Sequence, residues 1–229
     1  MKKSDKYYLT TAISYPNGRP HMGHAYEVVA TDVIARYHRL CGSNVRFLTG
    51  TDEHGLKIAQ AARAADLAPR AYVDGMVRYF KQLAEVLNIS HDRFVRTTDS
   101  DHVAACQTLW RALEARGDLY LGRYEGWYSV RDEAYYEADE LVEAEDAGGV
   151  AVKLSPQGTP VEWTVEESWF FRLSTYADRL LALYDAHPEF VQPASRRNEM
   201  RSFVGGGLRD LSVSRTSFDW GIPVPDSPG

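Results

Sequence analysis

"SYPNGRPHMGHAYEVV", residues 14–29, is the stretch whose reading decides the fold. The residues leading into it, "YYLTTAIS" (7–14), are β-branched and aromatic and read as a buried strand. Pro16-Asn17-Gly18 and Pro20 then force a turn, because proline fixes φ and glycine accepts positive φ. From Met22 to Leu40 apolar residues recur at helical spacing, with Val28, Val29, Val33, Ile34 and Tyr37 on roughly one side. A strand, a tight turn and a helix thus follow in order, with His21 and His24 at the helix start. Such a terminus exposes unsatisfied N–H groups and a partial positive charge, so anions settle there. His21 and His24 can offer ring N–H donors to one anion, and Gly23 leaves room for a nucleotide to approach the backbone. Donors of this kind suit a phosphoryl centre whose negative charge spreads in the transition state. Alone, H-x-x-H equally describes two surface histidines or part of a metal site, with Asp52, Glu53 and His54 as further candidate ligands.

Working outward, "NVRFLTG" (44–50) reads as a second strand, followed by a helix from about 55 to 65. Pro69 opens another helix running to about 87, and "DRFVRTT" (92–98) reads as a third strand. Asp99 or Ser100 can cap the helix that carries Trp110. This alternation predicts an α/β fold with a doubly wound, parallel, Rossmann-like sheet. "TGTDEHG" (49–55) follows its strand directly, and open α/β sheets bind ligands outside the carboxyl ends of their strands. Asp52 there suits a cationic partner such as an α-ammonium; the plainer alternative is that Asp52 or Glu53 caps the next helix.

The pattern changes near Gly117, where strand-like alternation and aromatics give way to an acidic run ending in Gly148-Gly149. This predicts a small β-rich insertion whose acidic run is a solvated surface. Helical spacing returns over 175–186, and "FVGGGLRDLSVSR" (203–215) suggests an element feeding back towards the first domain. The predicted division is 1–116, 117–190 and 191–229.

Composition narrows the function classes. The 229 residues are 44% hydrophobic and 25% charged, with a core-forming length and no apolar run that approaches a membrane span. A net charge of −6 disfavours the chain as the main grip on RNA. The N-terminus has no apolar segment with a cleavage site, so no signal peptide is expected. Cys41 and Cys106 stand in no C-x-x-C pair, which fits a reducing compartment, with cytoplasm the default, and argues against structural zinc.

"AISYPNGRPHMGH" followed by "FLTGTDEHG" resembles the catalytic core of class I aminoacyl-tRNA synthetases, specifically the methionyl-tRNA synthetase family. His21-Met22-Gly23-His24 corresponds to the family's H-I-G-H signature with Met in place of Ile, and the likeness runs on through "GWYSVRDEAYY", "VEWTVEESWFFRLS" and "GLRDLSVSRTSFDWGIPVP". The resemblance implies that Ala12, Ile13 and Tyr15 line a methionine pocket and that Asp52 holds the ammonium. It implies that His21, Gly23 and His24 bind ATP and stabilise adenylation, that Glu27 reaches the nucleotide, and that Arg215 lies near the active site. The implied substrates are methionine, ATP with Mg, and tRNA(Met).

The 117–190 insertion matches the family's connective-peptide domain, which often carries a zinc knuckle opening with C-x-x-C. Here that stretch reads Ser129-Val130-Arg131-Asp132 and no second cysteine pair follows, so no zinc is expected and no metal residue is assigned. The expected substitute is packing alone, by Trp127, Tyr128, Tyr135 and Tyr136. The family continues past "DWGIPVPDSPG" with the K-M-S-K-S loop and an anticodon-binding domain, so the chain reads as an N-terminal piece (a truncated form, a proteolytic fragment, or one half awaiting a complementary C-terminal fragment) that alone is expected to be a poor enzyme or none. Two rival readings remain: an H-x-G-H nucleotidyltransferase, and a non-catalytic synthetase-like binding module.

Overall fold

The structure, a computed structural model, describes residues 5–129, 131–132, 134–145, 151–216 and 218–226. The chain forms two compact units, one reaching to Gln107 and rejoined by Phe218–Pro223, the other from Thr108 with the segment from Val224.

In the first unit, β1 (Lys6–Thr10), β2 (Asn44–Thr51) and β3 (Arg93–Arg96) form a parallel sheet in the order β1-β2-β3. Tyr7 stands opposite Val45, and Leu48 opposite Arg93. The crossovers are α1 (Met22–Leu40) between β1 and β2, then α2 (Leu56–Ala64) and α3 (Pro69–Val86) between β2 and β3. Parallel strands need such crossovers, and they place the ends of β1 and β2 at one edge of the sheet. The pairing extends past β1: Ser14 N–H donates to Gly50 O at 2.9 Å, and Asp52 N–H donates to Ser14 O at 2.8 Å.

Alongside Ala35 of α1, the buried apolar residues of this unit are Phe47 of β2, Ile58 and Ala62 of α2, and Val73, Val77, Phe80 and Ala84 of α3. The spacing of those helical positions is the i, i+4, i+7, i+11 of a core-facing stripe. Gly50 is where a side chain could not go. A Cβ there would lie 2.0 Å from the Val95 carbonyl oxygen and 2.6 Å from the Val95 side chain.

α1 departs from the expected packing. Its buried residues are Asp32 and Ala35, while Val29, Val33, Ile34 and Tyr37 are exposed. Polar contacts tie the helix to residues 88–90 instead: Asp32 accepts the Ser90 N–H at 2.8 Å, and Arg36, paired with Asp32 within the helix, donates to the Asn88 carbonyl. Met22, Tyr26, Val29, Val33, Tyr37 and Leu40 therefore form an exposed apolar stripe along its length.

α4 (Ser100–Ala115) carries the chain from the first unit into the second. There β4 (Leu119–Ser129), β5 (Ala134–Tyr136), β8 (Glu162–Phe171) and β9 (Leu211–Ser212) form an antiparallel sheet ordered β5-β4-β8-β9. β6 (Val142–Glu145) and β7 (Ala151–Leu154) form a separate hairpin. The predicted helix over 175–186 is α5 (Ala177–Ala186), preceded by a 3-10 turn. α6 (Ala194–Gly205) was not legible, because its sequence is mostly polar and only Val204 is buried.

The knuckle region corrects one expectation. Packing contributes, with Trp127 and Trp163 edge to face at 5.4 Å and Tyr128 buried; the Tyr135 side chain lies outside the described residues. A polar cluster does the joining. Asp132 Oδ2 accepts from Thr159 Oγ1 at 2.5 Å, Ser155 Oγ at 2.7 Å and Tyr136 OH at 3.1 Å, and Ser129 Oγ lies 2.6 Å from Thr159 Oγ1. Ser129, Ser155 and Thr159 are buried. Donation by Thr159, then Ser155, takes the Asp132 pKa down to about 2. These are hard oxygen groups already satisfied by one another, which does not fit the thiolate set of a structural zinc. Val130 lies outside the described residues.

Candidate functional site

The histidine pair builds its own scaffold. His21 is the N-cap of α1, with an extended backbone (φ −125°, ψ 179°). Gly23 N–H donates to His21 Nδ1 at 3.1 Å, and His21 N–H donates to His24 Nδ1 at 3.1 Å. Each imidazole thus satisfies a backbone donor that the first turn would otherwise leave unpaired, a histidine version of the capping box. With both Nδ1 atoms accepting, the hydrogen-bond network assigns each neutral ring its proton on Nε2. Two Nε2–H donors remain for a ligand. The rings lie 4.0 Å apart, centroid to centroid, and Phe80 of α3 braces His24 edge-on at 5.3 Å. Burial, then the neighbouring His21, hold the His24 pKa below the usual imidazole value against the opposing pull of Glu27.

Gly23 also bears on the cap itself. The nearest obstacle to a Cβ there is the His21 ring, with Cε1 at 2.9 Å and Nδ1 at 3.1 Å. A side chain would displace the capping imidazole. Glu27 is also occupied: its Oε1 accepts the Ala12 N–H at 2.8 Å and ties the segment after β1 to α1. In that segment Ala12 is exposed and Ile13 and Tyr15 are half-buried.

Asp52, half-buried, follows β2 at the same carboxyl edge of the sheet from which the chain leads from β1 into α1. Tyr15 OH donates to the His54 carbonyl at 3.1 Å, joining the two segments directly. The N-cap of α2 is Gly55, without a side-chain bond, and the Glu53 carboxylate makes its hydrogen bonds elsewhere, so the capping alternative falls for Glu53. Glu53 instead turns inward and is fully buried against Arg96. The His54 pKa is lowered, first by burial and then by His102 and Arg70, with Glu53 opposing. Among the described residues no group of three or more His, Cys, Asp or Glu could hold a metal ion, so the alternative built on His54, Asp52 and Glu53 finds no ligand cluster.

Arg215 belongs to the second unit, where its Nη1 donates to Ser212 Oγ and to the Ser214 carbonyl, each at 2.7 Å. Sequence reasoning singled out His21, His24 and Asp52 but missed the supports: Phe80, Arg96, Asp74 and Trp220. Their sequence positions carry no spacing signal, because they come from other elements.

A family model described as tRNA synthetases class I (M) matches residues 7–229. The chain is 58% identical over 221 residues to the methionine–tRNA ligase of Brucella suis, and 57% identical over 223 residues to that of Mycobacterium tuberculosis. Those alignments cover 96% and 97% of this chain, which spans 42% of the length of each relative. The solved Mycobacterium tuberculosis methionyl-tRNA synthetase in complex with methionyl-adenylate matches with a TM-score of 0.90 and 56% identity, over 98% of this chain and 43% of that one. The apo form of that enzyme matches with a TM-score of 0.75 and 52% identity, over 99% of this chain and 42% of that one.

Proposed function

The chain belongs to the class I tRNA synthetases (M), the methionyl group, and from that premise we propose that it forms the ATP- and methionine-binding part of a methionine–tRNA ligase. In the proposed reaction the methionine carboxylate attacks the α-phosphorus of Mg-bound ATP. A P–O bond forms to the carboxylate as the bond to pyrophosphate breaks, giving methionyl-adenylate. A terminal ribose hydroxyl of tRNA(Met) then takes the methionyl group and AMP leaves. The carboxylate is ionised at pH 7, so the first step needs no general base, and catalysis is mainly positioning and charge stabilisation.

The observation that carries the reading is the reciprocal cap, which leaves two Nε2–H donors at a helix start on the edge that also bears Asp52. His21 and His24 are assigned to the phosphoryl oxygens and Asp52 to the substrate ammonium. Ala12, Ile13 and Tyr15 are assigned to the methionine side chain, where selection rests on the shape and polarisability of an apolar pocket. Gly23 serves the nucleotide through His21, and Glu27 by holding the Ala12 segment. Arg215 is proposed as a further active-site cation, and residues 117–190 as the connective-peptide insertion, working without zinc. Transfer to tRNA(Met), in cooperation with a complementary polypeptide and in the cytoplasm, extends the proposal to the full length of the relatives.

Calorimetry of this chain with a non-hydrolysable methionyl-adenylate analogue tests the reading. The analogue is expected to bind, and Asp52→Asn to weaken it about tenfold or more, the scale of a lost charge-assisted hydrogen bond. Equal binding to the chain and to Asp52→Asn, or no binding at all, overturns it.

A further inference from the structure

Glu53 sits between the proposed ammonium acceptor Asp52 and His54, whose carbonyl receives the Tyr15 hydroxyl. Its side chain is fully buried, and each of its hydrogen-bonding groups is engaged. Oε1 accepts from Thr51 Oγ1 at 2.6 Å and Arg96 Nε at 2.7 Å; Oε2 accepts from Thr98 Oγ1 at 2.6 Å and Arg96 Nη2 at 2.9 Å. The Glu53 N–H donates to Thr97 Oγ1 at 2.8 Å. Trp220 Nε1 donates to the Glu53 carbonyl at 2.6 Å, and Gly55 N–H donates back to the Trp220 carbonyl at 3.3 Å. Arg96 is itself held from α3, where Asp74 Oδ1 lies 2.6 Å from its Nη2.

Such an arrangement is poorly explained by stability. Replacing a buried ion pair by apolar side chains of similar volume is often neutral or favourable, because desolvation offsets the attraction. What the pair supplies here is geometry. The bidentate guanidinium–carboxylate fork fixes orientation as well as distance, and here it holds the residue that lies between Asp52 and His54 in the chain.

We propose that Glu53 and Arg96 are positioning residues that hold the 52–55 turn so that Asp52 and the Tyr15-bound His54 carbonyl keep the geometry needed to receive an amino acid. This rests on the assignment of Asp52 to the substrate ammonium. α3 then serves both halves of the site: Phe80 braces His24, while Asp74 holds Arg96.

The test compares wild type, Glu53→Gln, Arg96→Lys and the double variant Glu53→Met/Arg96→Met. Amide hydrogen exchange is read by NMR on the unliganded chain, and binding of the methionyl-adenylate analogue by calorimetry. In the single variants the amides of residues 52, 53 and 55 should exchange about tenfold faster or more, while those of the β1–β2 ladder stay unchanged. The double variant should regain the wild-type melting temperature yet keep the faster exchange and an affinity loss of about tenfold, equivalent to about 1.4 kcal/mol. A double variant that melts, exchanges and binds like wild type overturns the proposal, as does unchanged exchange in both single variants. Should wild type itself bind no analogue, the assignment of Asp52 fails while the exchange results still decide whether the pair holds the turn.

Discussion

Replacing Gly23 by alanine separates two explanations of the glycine in H-x-G-H. The new Cβ would sit 2.9 Å from His21 Cε1, closer than real contacts allow, and the obstacle is the free end of a side chain rather than backbone. The ring should swing away. That breaks the Gly23 N–H to His21 Nδ1 bond, a capping interaction worth about 1 kcal/mol. Alanine recovers up to about 1 kcal/mol of helix propensity at the same position. The two nearly cancel, so chain stability should move by less than about 1 kcal/mol. Ligand binding has no such compensation. Loss of one oriented donor to a charged oxygen costs about 1.5–3 kcal/mol, or about 10–150-fold in affinity for the methionyl-adenylate analogue. Calorimetry on wild type, Gly23→Ala, His21→Ala and the double variant reads this as a double-mutant cycle. If Gly23 acts through His21, adding Gly23→Ala to His21→Ala costs nothing more. Fully additive losses would refute that mechanism and show that the ligand itself needs the space at residue 23.

Other consequences follow from the same structure. Because burial and His21 lower the His24 pKa, its neutral form is favoured by folding; the associated stability is complete above the unfolded value of 6.5 and is lost as pH falls through the lower folded value. Melting curves across that range should show this loss in wild type and not in His24→Gln, whose amide oxygen can still cap; parallel curves would contradict it. Ser155→Ala removes a buried hydroxyl that donates to Asp132 and should destabilise the second unit by about 1–3 kcal/mol in urea titrations read by tryptophan fluorescence, with no shift counting against the polar knuckle. Chelator treatment should leave that unit's unfolding curve in place, whereas a fall in midpoint would point to a resident metal. The exposed stripe of Val33, Tyr37 and Leu40 should drive self-association, which Val33→Lys/Tyr37→Lys should reduce in sedimentation experiments; unchanged sedimentation would assign association elsewhere.

The parts legible in the sequence are those governed by local chemistry. The strand–turn–helix around 14–29 follows from proline, glycine and apolar period, and α1 occupies Met22–Leu40 as its spacing predicts. The third strand is shorter than expected, Arg93–Arg96 within 92–98, because its ladder pairs only with the end of β2. The burial of Asp32 in place of Val33 was not legible, since it depends on Ser90, far away in the chain. Likewise the knuckle spacing showed the missing cysteines, but the union of Asp132 with Ser155 and Thr159 is a long-range pairing of common residues with no signature.

The i, i+3 spacing of the histidines has a physical reason that joins fold to chemistry. A ring at the N-cap can reach forward to the first turn, and a ring three residues on can reach back to the N-cap, so this spacing lets both imidazoles accept a backbone N–H at once. Each such bond stabilises the helix start and, by occupying Nδ1, fixes the tautomer that makes Nε2 a donor. Serine or aspartate would cap as well but would bring acceptor lone pairs or a negative charge to the proposed phosphoryl subsite. Lysine would supply charge without the cap. Histidine at both positions satisfies the helix through Nδ1 and keeps a neutral donor at Nε2, so in the proposed function the same two hydrogen bonds that begin α1 also set the donors offered to the nucleotide.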